Sequence, residues 1–190
     1  MWLRRAATAA HDAPVAVSEA AAGELCRLLD AQGFDYWVIG GWGVDALLGR
    51  VTRAHKDLDL LLPVRQHARA WRLLHQHKFS LQYRWEENVD IPGELLPGGL
   101  QPTAYVLEDP LGRQLDVHVL DDRSPVARPL WATDQQFIAG ALEAEGQIDG
   151  LRVRCISAQM QLLAHEGYVL PPTQQADVVL LRSLLDGDVP

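Results

Sequence analysis

The sequence predicts an α+β chain, or a mixed-sheet α/β chain, built as one domain or one domain with a helical extension. Three observations lead there. Short β-prone runs mix with helical patterns without strict alternation. Two turn signals, Asp109-Pro110-Leu111-Gly112 and Asp149-Gly150, mark hairpins, so part of any sheet is antiparallel. The chain closes with two helical patterns separated by Pro171-Pro172. At 190 residues, 48% apolar and 22% charged, it can bury a full core and needs no disulfide or metal to fold.

The elements follow in order. Residues 1–15 read as a loose tail around Pro14. Ser18 caps a helix running to about Gln32, and Gly33 stops it. Tyr36-Trp37-Val38-Ile39 is a strand. Gly40-Gly41-Trp42-Gly43 turns the chain into a short helix, Val44–Leu48, that Gly49 stops. Residues 50–56 form a basic loop. Asp57–Leu62 is a strand that begins with acid, Gln66–His77 a helix and Phe79–Trp85 a strand. Residues 91–102 hold three prolines and three glycines and predict a loop. Ala104–Glu108 and Arg113–Leu120 form one hairpin and Ile148–Ile156 a smaller one. Helices over about 157–167, capped by Ser157, and 173–186 complete the chain.

Charge and cysteines narrow the function classes. Lys plus Arg is 17 and Asp plus Glu is 25, giving −8, a poor balance for general binding of nucleic acid or anionic membrane. An anionic ligand must therefore be held locally, by a few cations or a metal. Cys26 and Cys155 suggest neither a disulfide framework nor a zinc site, and a reducing, cytoplasmic setting is the expectation. No apolar run reaches membrane-spanning length, and no apolar signal core follows Arg4-Arg5.

The chemistry sits in four segments. Strand side chains alternate, so Asp57 and Asp59 share a face while Leu58 and Leu60 point to the core. Two such carboxylates repel, and a hard divalent cation relieves that. Asp116 and His118 share a face of another strand. If the strands are neighbours, Asp57, Asp59 and Asp116 converge and can bridge two Mg²⁺ ions for phosphoryl transfer. Gly40-Gly41 ahead of a helix lets backbone amides approach phosphate oxygens. Arg50, Thr52, Arg53, His55 and Lys56 add hydroxyl and cationic groups for a polyphosphate. Taken singly, Asp-x-Asp is also a solvated strand end, Gly-Gly a plain turn, and His118 a structural histidine. Their joint order is the specific signal. Gly41-x-Gly43-x-x-Ala46 also fits a dinucleotide fingerprint, but the helix is too short for a crossover and the acids open their strand instead of ending it. No Gly-Lys-Ser/Thr follows the glycines, which excludes a P-loop.

The run Gly40-Gly41-Trp42-Gly43-Val44-Asp45-Ala46-Leu47-Leu48-Gly49-Arg50 with Thr52-Arg53-x-His55-x-Asp57-Leu58-Asp59 resembles the small antibiotic nucleotidyltransferases. These are the lincosamide and aminoglycoside nucleotidyltransferases of the DNA polymerase beta-like superfamily. Leu115-Asp116-Val117-His118 is similar to their third-acid strand, and Cys155-Ile156-Ser157 with Gln161–Tyr168 to the helical segment after it. The resemblance implies a mixed sheet flanked by helices, with residues 16–128 as the catalytic core and 129–190 as a hairpin and helical part closing the cleft. It implies transfer of a nucleoside monophosphate, usually AMP from ATP or another NTP, to a hydroxyl of a small molecule, with pyrophosphate released and antibiotic resistance as the role. Asp57 and Asp59 would ligate Mg²⁺, two ions in all. Asp116 would complete the metal site, act as the base, or do both. Gly40, Gly41, Thr52, Arg53 and Lys56 would hold the nucleotide. Trp42, His55 and His118 stand as accessory candidates, Trp42 more as packing than as a base-stacking surface. A homodimer is within the implied range; nucleic acid and membrane are not favoured partners. RNA or protein acceptors, and a binding module without turnover, are the competing readings. The segment 91–102 and the N-terminal tail are where acceptor recognition is expected. The acids Glu86, Glu87, Asp90 and Glu94 read either as a solvated face or as a wall for a cationic acceptor.

Overall fold

The computed structural model describes residues 15–123, 126–132 and 135–188. The tail expected over residues 1–15 falls, apart from Val15, outside the described residues. The first helix, α1 (Glu19–Ala31), is capped by Ser18, whose Oγ accepts from the Ala21 amide at 3.2 Å. Its apolar stripe Ala22, Leu25, Cys26 and Leu29 is buried, at the spacing of one helix face. Strand β1 (Trp37–Ile39) runs directly into α2 (Gly40–Leu48). The glycines expected to precede that helix are its first turn, because Gly40 adopts φ +60°, a conformation open to glycine that bends strand into helix with no linker.

Strand β2 (Asp57–Pro63) leads into α3 (Val64–Gln76) and then β3 (Ser80–Arg84). Residues 91–102, expected as a loop, fold into a small hairpin instead, β4 (Ile91–Leu96) and β5 (Leu100–Gln101). Its turn works because Gly98 and Gly99 both take positive φ. Next come β6 (Ala104–Glu108) and β7 (Gln114–Asp121), joined by the expected turn. Asp109 organises that turn by accepting from the amides of Leu111 and Arg113. A short β8 (Arg128–Pro129) pairs with β7. The hairpin β9 (Ala144–Ile148) and β10 (Leu151–Cys155) turns on Asp149 and Gly150, both at positive φ. Helices α4 (Ala158–Ala164) and α5 (Pro172–Asp186) follow, with Ser157 capping α4 and Pro172 in the first turn of α5.

The main sheet is mixed, in the order β3-β6-β7-β2-β1-β10-β9. Strand β2 is parallel to β7 and antiparallel to β1, and β1 is parallel to β10. Strict alternation sends side chains to two different layers. Leu58, Leu60 and Leu62 of β2 join Leu115, Val117 and Val119 of β7 in the larger core, shared with α1 and α3. Leu61 and Leu120 point to the other face, into a second cluster with Trp131, Phe137 and Ile156. Each fully buried leucine contributes about 1.5–3 kcal/mol by burial. A one-residue slip of β2 would exchange these leucines for Asp57 and Asp59, so register is held firmly.

Candidate active site

The acid-first strand becomes a site through its neighbour. The parallel pairing of β2 with β7 sets Asp59 opposite Asp116 and Leu61 opposite His118. One oxygen from each of Asp57, Asp59 and Asp116 lies within 4.8 Å of the others, and all three residues are buried. Burial and the charges of Asp59 and Asp57 hold the Asp116 carboxyl well above the usual carboxylate range. Its Oδ1 accepts from the Trp85 indole at 2.9 Å. Lys56 Nζ stands 2.6 Å from Asp57 Oδ2 and supplies one compensating charge. Three converging hard oxygen donors with no thiolate or imidazole among them suit a divalent ion such as Mg²⁺.

The phosphate side is built from α2 and the loop after it. Ile39 at the N-cap offers no side-chain acceptor, so the first turn of α2 carries no side-chain cap where Gly40 and Gly41 meet the cavity. The cradle is tight. A Cβ at Gly40 would collide with the Asp59 carboxylate, and one at Gly41 with Arg53 and His55. The loop of residues 50–56 is folded around Asp45, a buried carboxylate on α2. Asp45 accepts from the Thr52 amide at 3.1 Å, from the Thr52 hydroxyl, and pairs with His55 Nε2 at 2.6 Å. His55 thereby presents its Nδ1 edge toward Gly41 and packs its ring on Trp42 at 4.6 Å. Arg53 is gripped by Asp177 of α5, with Nε to Oδ1 at 3.1 Å and Nη2 to Oδ2 at 2.7 Å.

A cavity of about 250 Å³ joins these parts. Gly40, Gly41, Arg53, His55, Lys56 and the three acids line it, as does His118. Thr52 and Trp42 do not. The Thr52 hydroxyl is engaged by Asp45, and Trp42 is buried beneath the turn in the larger core. None of residues 91–102 lines the cavity; Leu95 and Leu96 pack on the larger core, on the opposite face of the sheet from the acids. Glu86, Glu87, Asp90 and Glu94 also lie off the cavity lining, and Asp90 is held by Arg84 and Asn88. Reading the sequence missed Asp45, Asp177 and Trp85. Asp45 is a carboxylate inside the apolar run Val44-Asp45-Ala46-Leu47-Leu48, a detectable sign of a buried partner. Asp177 lies one turn before Leu181, on the stripe that α5 buries. For Trp85 no local signal marks the long-range bond.

The family model described as aminoglycoside-2''-adenylyltransferase matches residues 23–181. A lincosamide resistance protein of Staphylococcus haemolyticus is 25% identical over 151 residues, covering 78% of this chain and 84% of that protein. A 2''-aminoglycoside nucleotidyltransferase of Klebsiella pneumoniae is 53% identical over 40 residues, 21% of this chain and 23% of that protein. The fold is shared with the lincomycin-bound lincosamide antibiotic adenylyltransferase LnuA, at TM-score 0.71 and 23% identity over 90% of this chain and 99% of that one. It is also shared with ANT(2'')-Ia in complex with adenylyl-2''-tobramycin, at TM-score 0.62 and 22% identity over 88% of each chain. No helix among the described residues is long and apolar enough to cross a membrane. With most of its length matched by the family model, the chain belongs to the aminoglycoside-2''-adenylyltransferase family.

Proposed function

We propose that the protein transfers AMP from ATP to a hydroxyl of a small antibiotic-like molecule and releases pyrophosphate, with divalent metal, Mg²⁺ in the first instance, as cofactor. The observation that carries this is the convergence of Asp57, Asp59 and Asp116 beside the uncapped N-terminus of α2. Asp57, Asp59 and Asp116 would hold the metal, which when bound polarises the α-phosphate and screens the charge of the triphosphate. The first-turn amides at Gly40 and Gly41 receive phosphate oxygens. Arg53 and Lys56 complement the negative charge that builds on the departing pyrophosphate. Asp116, held at Oδ1 by Trp85, would orient the acceptor hydroxyl and take its proton. The hydroxyl oxygen bonds to the α-phosphorus, the bond to the bridging oxygen breaks, and its electron pair leaves with pyrophosphate.

The test is mass spectrometry of acceptors after incubation with ATP and Mg²⁺. Lincosamides, aminoglycosides and other hydroxylated amino-sugars make up the pool. A product heavier by one AMP is expected with the wild type and not with Asp57→Ala/Asp59→Ala. GTP and other nucleotides run in parallel decide the base preference. A modified acceptor in the double variant at the wild-type rate would remove the acids from the reaction.

A further inference from the structure

We infer that His118 and the apolar wall behind it form the acceptor subsite, and that this subsite takes a hydroxylated molecule with an apolar body in preference to a polycationic amino-sugar. The inference rests on the adenylyl-transfer reading and names its acceptor class.

His118 is fully buried, lines the cavity, and shares a face of β7 with Asp116. Its Nδ1 is 3.4 Å from Asp116 Oδ1, but the geometry makes no hydrogen bond, and neither ring nitrogen has a hydrogen-bond partner among the described residues. A buried polar group left so costs about 1–3 kcal/mol, and native proteins rarely tolerate it without a ligand or water to answer it. An apolar side chain would fill the same space without that penalty. The imidazole is therefore placed for a polar group that enters the cavity next to Asp116, where an attacking hydroxyl has to stand.

The surface around it is apolar. The His118 ring meets Trp131 edge-on at 4.7 Å. Leu61, Phe137 and Ile156 continue that wall along the same cavity and belong to the same buried cluster. The charged groups of the other half are already engaged. Asp177 is ion-paired with Arg53, Asp45 is hydrogen-bonded to His55 and Thr52, and the three remaining acids suit the metal. Several ammonium groups brought against this wall would lose hydration, and the only carboxylates among the described lining residues are the three of the metal triad and Asp177, which Arg53 engages. A ring or alkyl body gains by being buried there. The acidic residues Glu86, Glu87, Asp90 and Glu94, which could have attracted a polycation, do not line the cavity.

The experiment separates acceptor binding from turnover. Isothermal titration is run on the full chain with Mg²⁺ and a non-hydrolysable α,β-methylene ATP, using lincomycin as the apolar-bodied acceptor and tobramycin as the polycation. Lincomycin is expected to bind at least about tenfold more tightly, a difference of about 1.4 kcal/mol. Tobramycin binding equally or more tightly overturns the acceptor class. His118→Phe is expected to weaken lincomycin about tenfold, with His118→Gln recovering part of the loss. In both variants the thermal shift produced by Mg²⁺ and nucleotide should match the wild type. Unchanged lincomycin affinity in His118→Phe overturns the inference. So does loss of the nucleotide-dependent shift, because His118 would then support the metal site instead of the acceptor. If acceptors bind as expected but no AMP is transferred, the adenylyl-transfer reading fails while the subsite stands. If AMP is transferred to tobramycin and not to lincomycin, the reverse holds.

Discussion

Gly40 carries two separate demands in one residue. Its φ of +60° lets β1 pass straight into α2, and its missing side chain leaves room for the Asp59 carboxylate. Gly40→Ala should therefore lower kcat/KM by at least about 100-fold, the scale expected when a reacting geometry shifts by about 1 Å. The backbone strain alone costs about 1 kcal/mol, so urea denaturation should report a modest loss of stability beside a large loss of activity. A variant with wild-type kcat/KM would mean that Asp59 does not need this space. Asp45 is a residue of a different kind, a buried hub that holds Thr52 and His55. Asp45→Ala leaves both without their partner and should destabilise the fold by about 3 kcal/mol, read from the shift in urea midpoint. It should also raise the KM for ATP, because the loop of residues 50–56 loses its anchor.

At the scale of elements, the site is a meeting of four pieces: the β2–β7 pair, the first turn of α2, the basic loop and α5. The last is the least expected. Helix α5 is anchored by Leu181 against Val44 and Ala158, which places Asp177 over the basic loop. The bidentate grip leaves the Arg53 guanidinium close to Gly41, where phosphate oxygens would sit. Asp177 is thus a positioning residue. Asp177→Asn should raise the KM for ATP about tenfold while changing kcat little, and Asp177→Glu should recover part of it. A fall in kcat at constant KM would assign Asp177 a different role. The same element scale explains why residues 91–102 form a hairpin. Their prolines and glycines suit loops, yet Gly98 and Gly99 close a turn, and Leu95 and Leu96 pack on the larger core.

The whole molecule adds a pH dependence that no single element shows. His67 lies on α3, fully buried against Tyr105 of β6, with its Nε2 2.8 Å from the Tyr105 hydroxyl. Burial lowers its pKa from the ordinary 6.5 to about 4. Between those values the unfolded chain binds a proton that the folded chain does not. The contribution is fully present above pH 6.5 and is lost as pH falls toward 4, by about 3 kcal/mol at the limit. His67→Gln should flatten the fall in unfolding free energy between pH 7 and 4.5, measured by urea denaturation at both. An unchanged slope would place the acid sensitivity elsewhere.

Much of this was legible from local pattern. Alternation in Asp57-Leu58-Asp59-Leu60 assigned faces correctly, and both leucines are fully buried while the acids line the cavity. Ser18, Ser157, Gly33, Gly49 and Asp149-Gly150 marked caps and turns, because cap and turn chemistry involves residues within a few positions of one another. The motif order through Gly40–Asp59 carried the family. What the sequence by itself determined was therefore most of the elements and the strand faces that carry the acids, which rest on short-range periodicity and residue type. What only the tertiary structure decided was who meets whom across the fold: Asp59 opposite Asp116 through strand register, Asp177 on Arg53 across 124 positions, Trp85 on Asp116, and His118 set into an apolar wall. Those contacts depend on sheet order and helix packing, which a local pattern does not encode.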